Sequence, residues 1–199
     1  MLNAAGTVFN ERIMYPTYEI IGGKKFMAPS ATSYHNRSMG RLYNVIDTYC
    51  YKNKVGYVFT DSLDVHFPDG SIYRPDLIVV KKENADIIDW QGVIHGSPDM
   101  VAEIISKSTK KNDVTIKKDT YEKFGVKEYW IIDPFIKSVS VYLLRDGKFE
   151  LDEEYIYYEK DEYDFNNLTD EQKAAVKTEI ALSIFPEVKI KLQDIFEIY

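Results

Sequence analysis

The sequence is poor in cysteine. Cys50 stands alone among 199 residues, so no internal disulfide can form. A fold that does without disulfides fits a reducing compartment, and a cytoplasmic location is the expectation. Long apolar runs are missing too: nothing approaches the ~18 consecutive apolar residues of a membrane-spanning helix. The N-terminus MLNAAGTVFNERIMYP has no basic segment leading into an apolar core, so no secretory signal is read there. There is no Walker sequence, no G-x-G-x-x-G and no zinc-ligand spacing, which removes the common phosphate-cradling loops and zinc folds. Internal repeats and low-complexity segments are absent. Positive charge is in short supply: 25 Lys and Arg against 32 Asp and Glu leave a net charge of −7. That balance speaks against avid, indiscriminate nucleic-acid binding.

What is present suits one globular domain over residues 1–199. Hydrophobic residues make up 45% and charged residues 29%, enough to bury a substantial core and keep it soluble. The core is expected at about residues 33–145, with a hairpin leading in and a C-terminal extension packing on it. Many of the 16 tyrosines should lie half-buried, their hydroxyls meeting water or a partner. Acidic residues gather in ELDEEYIYYEKDEY at 150–163, while 107–127 carries Lys107, Lys110, Lys111, Lys117, Lys118, Lys123 and Lys127. That basic stretch is either a phosphate-facing patch or a solvated helix face.

Along the chain, YEIIGGKKFM suggests a hairpin turning at Gly22-Gly23. A helix is expected from Thr32 or Ser33 to about Tyr51, with Met39, Leu42, Ile46 and Tyr49 at helical spacing. Three strand-like runs follow: GYVFTDSLDVHF, SIYRPDLIVV and DMVAEIIS. The segment Lys82 to Pro98 between the last two reads as a loop. A helix from about Lys111 to Phe124 should stop at Gly125. Then VKEYWIID and SVSVYLL read as strands, the second turning at Asp146-Gly147. Thr169 to Gln172 fits a capping box, and KIKLQDIFEIY reads as a closing strand or short helix. The order predicts an α/β fold with a central mixed sheet flanked by helices. Residues 100–133 should form a right-handed strand–helix–strand crossover.

Three ionisable residues sit where the pattern predicts burial. Asp76 shares a strand face with Ile78 and Val80. Glu103 lies inside the apolar run MVAEII, which should be covered on both faces. A carboxylate there needs a metal, a cation or several donors. Lys117 falls on one helical stripe with Val114, Tyr121 and Phe124, the core-facing stripe. Its natural partner is Glu103 on the preceding strand. Two carboxylates and a lysine suit metal-assisted phosphodiester hydrolysis. The carboxylates supply hard oxygens for Mg²⁺ or Mn²⁺, and the lysine orients water or stabilises developing charge. A buried Glu–Lys pair beside a turn aspartate fits the same pattern.

RPDLIVV (74–80), PDMVAEIIS (98–106) and SKSTKKND (106–113) resemble the Putative restriction endonuclease family of the PD-(D/E)xK nuclease superfamily. So do Asp113, Lys117, Tyr121 and Gly125, each four residues apart, and GVKEYWIIDP at 125–134. The likeness extends more loosely to Tyr18, Pro29, His35, Leu63-Asp64-Val65, Ile184-Phe185-Pro186 and Ile195-Phe196. It implies a restriction endonuclease-like α-β-β-β-α-β core, metal held by Asp76 and Glu103, and DNA as partner. Superfamily nucleases often act as dimers, so a homodimer is implied. The superfamily lysine usually stands two residues after the acid on the same strand. Here that place is Ile105, and Lys117 resembles a migrated replacement.

His35, near the start of the first helix, would support the metal carboxylates or contact phosphate; a helix cap or surface residue is the plain alternative. Asp64 would lie on the strand beside Asp76, or simply at a strand edge. Asp99 should fix the start of its strand, and Asp113 should cap its helix or pair with a lysine. Tyr121 should sit in the core with its hydroxyl turned to the site. Tyr129 and Trp130 read as sheet packing, and Cys50 as a core residue at a helix end. Two other functions fit. One is an inactive nucleic-acid-binding or protein-interaction module of the same fold. The other is a metal hydrolase for a small phosphorylated substrate.

Overall fold

The computed structural model describes residues 18–21, 23–27, 32–61, 63–106, 113–159 and 167–197. The expected hairpin forms: β1 (Tyr18–Ile21) pairs antiparallel with β2 (Lys24–Met27). Gly23 between them has φ 76°, a conformation a side chain would resist. Helix α1 (Ser33–Asn53) begins where the Thr32 hydroxyl accepts the His35 amide at 3.2 Å, and it ends at Lys54 in the left-handed conformation. Ser38, Leu42, Ile46 and Cys50 recur every fourth residue and are its buried face.

Twelve further strands follow. They are β3 (Gly56–Thr60), β4 (Asp64–His66), β5 (Ile72–Tyr73), β6 (Leu77–Lys81), β7 (Ile88–Asp89) and β8 (Val93–His95). Then come β9 (Met100–Ile104), β10 (Glu128–Asp133), β11 (Ser138–Arg145), β12 (Lys148–Ile156), β13 (Glu179–Ala181) and β14 (Lys189–Lys191). Three short helices complete the described elements: α2 (Lys118–Phe124), α3 (Asp170–Ala175) and α4 (Leu192–Phe196). The expected capping box is made at Thr169 and Gln172, and the C-terminal run supplies both a strand and a helix.

The central sheet has the order β12-β11-β10-β9-β6-β3, with β9 and β10 its parallel pair. In chain order α1, β3, β6, β9, α2 and β10 are the α-β-β-β-α-β core that the sequence implies. A parallel pair needs a crossover, and α2 lies in it. A second sheet has the order β2-β1-β5-β4-β8-β7. Together they make the mixed α/β architecture expected.

Two expectations need correction. The first two strand-like runs do not stay in one sheet. GYVFTDSLDVHF splits into β3 of the central sheet and β4 of the second; SIYRPDLIVV splits into β5 of the second and β6 of the central. Pro75, with no N–H for a ladder, marks the second break. The segment Lys82 to Pro98 is not a bare loop: a 3₁₀ turn (Lys82–Ile87), β7 and β8 occupy most of it. Its backbone groups find partners in strands too short to register as periodicity.

The central sheet is covered on both sides. One face buries Leu77, Val79, Met100, Ala102, Trp130 and Ile132 against α1 and the C-terminal elements. The other buries Ile78, Val80, Val101, Tyr129 and Ile131 against α2 and the second sheet. Cys50 lies wholly in the first core, and burial, with Asp47 nearby, pushes its thiol up to about 11. The thiolate is the reactive form. Cys50 is therefore expected to resist alkylation by iodoacetamide at pH 8 in the folded protein and to react once urea unfolds it. Rapid labelling of native protein would contradict this placement.

Candidate active site

The corner between the two sheets positions the first carboxylate. In the antiparallel β6–β9 register Leu77 faces Ala102, so the next step sets Asp76 opposite Glu103. Alternation turns both toward the face that carries Ile78, Val80 and Val101, beneath α2. Asp76 Oδ2 accepts the Ile104 amide at 2.6 Å, and its Oδ1 lies 2.9 Å from His35 Nε2. His35 is thus brought to Asp76 by the first turn of α1. Burial lowers the His35 pKa, but the hydrogen bond and charge of Asp76, with Asp61, outweigh it and raise the ring above its ordinary value. A raised histidine favours the protonated ring in the folded state. In the metal-free protein the His35–Asp76 contribution is full below about pH 6.5 and is lost as pH rises through the raised value.

Lys117 arrives by an irregularity. A π-helical turn, Asp113–Lys117, precedes α2. Its wider winding changes which residues share a face. Asp113, Lys117 and Tyr121 face inward and are buried, whereas Val114, expected on that stripe, is 37% exposed. Lys111, the expected start of this helix, lies outside the described residues. Lys117 Nζ sits 2.8 Å from Glu19 Oε1, 3.1 Å from Glu103 Oε1 and 3.2 Å from Asp113 Oδ1. The Tyr121 hydroxyl donates to Glu103 Oε1 at 2.8 Å, as its place in the pattern suggested. Tyr129 donates to the Asp113 carbonyl at 2.9 Å and braces the π turn.

Burial alone would lower the Lys117 ammonium, but Glu103, Asp113 and Glu19 hold it well above the ordinary lysine range. Burial raises the Glu103 carboxyl well above its ordinary value; Lys117 opposes this, and Asp113, Asp76 and Glu19 add to it. Four carboxylates therefore converge on one lysine and one histidine. The carboxylates outnumber the cations they face, which favours a bound proton at Glu103.

Glu19 and Asp113 are members that sequence reasoning did not place here. A lone glutamate inside YEII was the only signal for Glu19. Asp113 was expected to cap or to pair with a lysine, and it pairs with Lys117. Asp64 does not lie beside Asp76. Strand β4 pairs with β5 and β8, and Asp64 Oδ1 accepts Arg74 Nε at 2.8 Å instead. Ile105, at the usual lysine position, is buried in the second core. Asp99 meets its expectation: it accepts the Lys81 amide at 2.8 Å and Lys127 Nζ at 2.6 Å.

The basic stretch is less open than its composition suggests. Lys117 is buried, Lys123 pairs with Asp69 at 2.9 Å, Lys127 pairs with Asp99, and Lys118 lies over the Tyr142 ring at 3.9 Å. Lys107, Lys110 and Lys111 lie outside the described residues.

Residues 12–172 match the Uma2 family, described as Putative restriction endonuclease. The chain belongs to the Uma2 family. No curated protein matches it. Among solved structures it is similar to a putative nuclease of the DUF820 group from Anabaena variabilis. That crystal structure superposes with a TM-score of 0.67 over 90% of this chain and 89% of the other, at 20% identity. Likeness at that identity establishes a shared fold. Among the described residues of this Uma2 chain no helix is long and apolar enough to cross a membrane.

Proposed function

We propose that this Uma2 protein is a divalent-metal-dependent endonuclease that hydrolyses DNA phosphodiester bonds in the cytoplasm. The observation that carries the reading is the pairing of Asp76 and Glu103 across adjacent strands, with the buried Lys117 ammonium 3.1 Å from Glu103. The donor set fits Mg²⁺ or Mn²⁺: hard carboxylate oxygens in a cluster with negative charge to spare. Among the described residues no group of three or more His, Cys, Asp or Glu side chains is placed to hold a metal ion by itself, so Asp76 and Glu103 would be joined by water and the substrate's own phosphate. Bound there, the cation would polarise the phosphate and make a water more acidic.

The protein's own groups have separate tasks. His35 orients Asp76 from behind, and Tyr121 does the same for Glu103. Lys117 offers a fixed positive charge whose three N–H groups face Glu19, Glu103 and Asp113; an N–H released by Glu103 would orient the attacking water or stabilise charge developing on the phosphate. Asp64 acts at one remove, by holding Arg74 two residues before Asp76. One domain carries all of this, residues 33–145 supplying most of it and the N-terminal hairpin adding Glu19. A homodimer would let two sites address two strands.

A second reading has its own support. The net charge of −7 and the ion-paired Lys123 and Lys127 suit a module of this fold that binds a partner without cutting nucleic acid. Calorimetry separates the two. The nuclease reading expects Mg²⁺ or Mn²⁺ binding that is lost in Glu103→Ala and weakened about 10-fold in His35→Ala, the usual scale for removing the partner that orients a ligand. Wild-type protein that binds neither cation would favour the module.

A further inference from the structure

We infer that Glu19, on the first strand of the N-terminal hairpin, is a positioning residue that fixes the Lys117 ammonium for the reaction proposed above. This rests on the nuclease reading and adds to it a residue from outside the α-β-β-β-α-β core. A single oxygen, Glu19 Oε1, makes two contacts: 2.8 Å to Lys117 Nζ and 2.9 Å to the Arg74 amide. Arg74 is two residues before Asp76 on the same segment. Glu19 therefore ties the lysine of one element to the chain that carries the first metal carboxylate.

The other partners of Lys117 cannot do this. Asp113 is on the same π turn and moves with the lysine. Glu103 Oε1 accepts both Lys117 and Tyr121, and it is also the carboxylate assigned to the cation. A Glu103 that held a cation would hold Lys117 less firmly, and a lysine side chain has a long flexible stem. Glu19 supplies an anchor that the cation does not compete for. A lysine on the strand would be positioned by the sheet itself; one on a helix needs a tie of this kind.

The tie is also economical in structure. Hairpin strand β1 meets β5 through the Ile20–Ile72 pair, and Ile21 is buried in the second core. Hairpin packing and the Glu19 carboxylate are thus separable by mutation.

The test compares Glu19→Ala, Glu19→Gln and Ile21→Ala in Mg²⁺-dependent cleavage of a DNA duplex by the full chain. Misplacing a catalytic group by about 1 Å costs ~100-fold. Glu19→Ala is expected to lower kcat on about that scale with KM changed less than about 3-fold. Glu19→Gln keeps an acceptor oxygen and should recover part of the loss. Ile21→Ala loosens the hairpin but keeps the carboxylate, so its thermal midpoint should fall while kcat holds. Unchanged kcat in Glu19→Ala, or an equal loss in Ile21→Ala, would overturn the inference. If wild-type protein cuts with neither Mg²⁺ nor Mn²⁺, the nuclease reading fails and ¹H–¹⁵N spectra of the Lys117 ammonium decide the tie. A slowly exchanging wild-type signal that disappears in Glu19→Ala supports it, and an unaltered signal refutes it.

Discussion

Lys117→Met is expected to abolish cleavage and to destabilise the fold by about 3–5 kcal/mol, the usual result of removing one partner from a buried ion pair. The activity loss follows from removing the cation that, among the described residues, meets Glu103, and loss of a single such donor costs about 10²–10³ in rate. The stability loss follows from geometry. Glu19, Glu103 and Asp113 would be left around an apolar side chain, and burial already drives the Glu103 carboxyl well above its ordinary value. A consequence separates this from simple core damage. Mg²⁺ should restore part of the lost stability, because a divalent cation compensates the same carboxylates. Urea unfolding with and without Mg²⁺ reads both effects. A variant as stable and as active as wild type would show that Lys117 is a bystander.

Glu128→Ala should unfold the protein more easily without touching the chemistry. Glu128 is wholly buried at the start of β10, on the face opposite Glu103. Its carboxylate accepts Trp130 Nε1 at 2.8 Å, the Ser183 amide and hydroxyl each at 2.9 Å, and the Ile184 amide at 3.1 Å. Burial raises its pKa, and these donors pull against that shift. Truncation would leave the buried Trp130 indole N–H without an acceptor, at about 1–3 kcal/mol, while the donors of exposed Ser183 and half-buried Ile184 would lose their anchor and turn to water. With the lost anchor of the Ser183–Ile184 segment added, a loss of about 2–3 kcal/mol is expected, or roughly 7 °C in thermal midpoint for a chain of this size. Below that midpoint the rate per folded molecule should match wild type. A shift under about 2 °C would mean that water replaces the carboxylate at little cost.

Much of the site could be read before the fold was seen, because charge inside an apolar pattern is a strong physical signal. The burial of Glu103 and Lys117 and their pairing followed from strand alternation, helical spacing and the cost of burying charge, while the reading of Asp76, Glu103 and Lys117 as a metal site came with the family resemblance. The core order followed the same way. What escaped reading has identifiable causes. Glu19 meets Lys117 through tertiary structure alone, and a two-stranded hairpin carries no periodicity that reveals its neighbours. The π turn shifts the inward stripe from Val114 to Asp113, since a regular 3.6-residue period was assumed across an irregular winding. GYVFTDSLDVHF and SIYRPDLIVV each read as one strand-like run, yet each changes sheets midway, at the polar breaks after Phe59 and at Arg74–Asp76. Pro75 lies in the second break. The lysines of 107–127 fitted either a phosphate-facing patch or a solvated helix face, and the acidic partners of Lys123 and Lys127, Asp69 and Asp99, lie far off in sequence.

Cleavage of supercoiled plasmid DNA by purified protein in Mg²⁺ or Mn²⁺ tests the central claim most directly. Wild type is compared with Asp76→Ala and Glu103→Ala, each first shown to be folded by circular dichroism. The account predicts nicked or linear product from wild type and none from either variant. Intact plasmid with both cations, in protein that also binds neither by calorimetry, would contradict it.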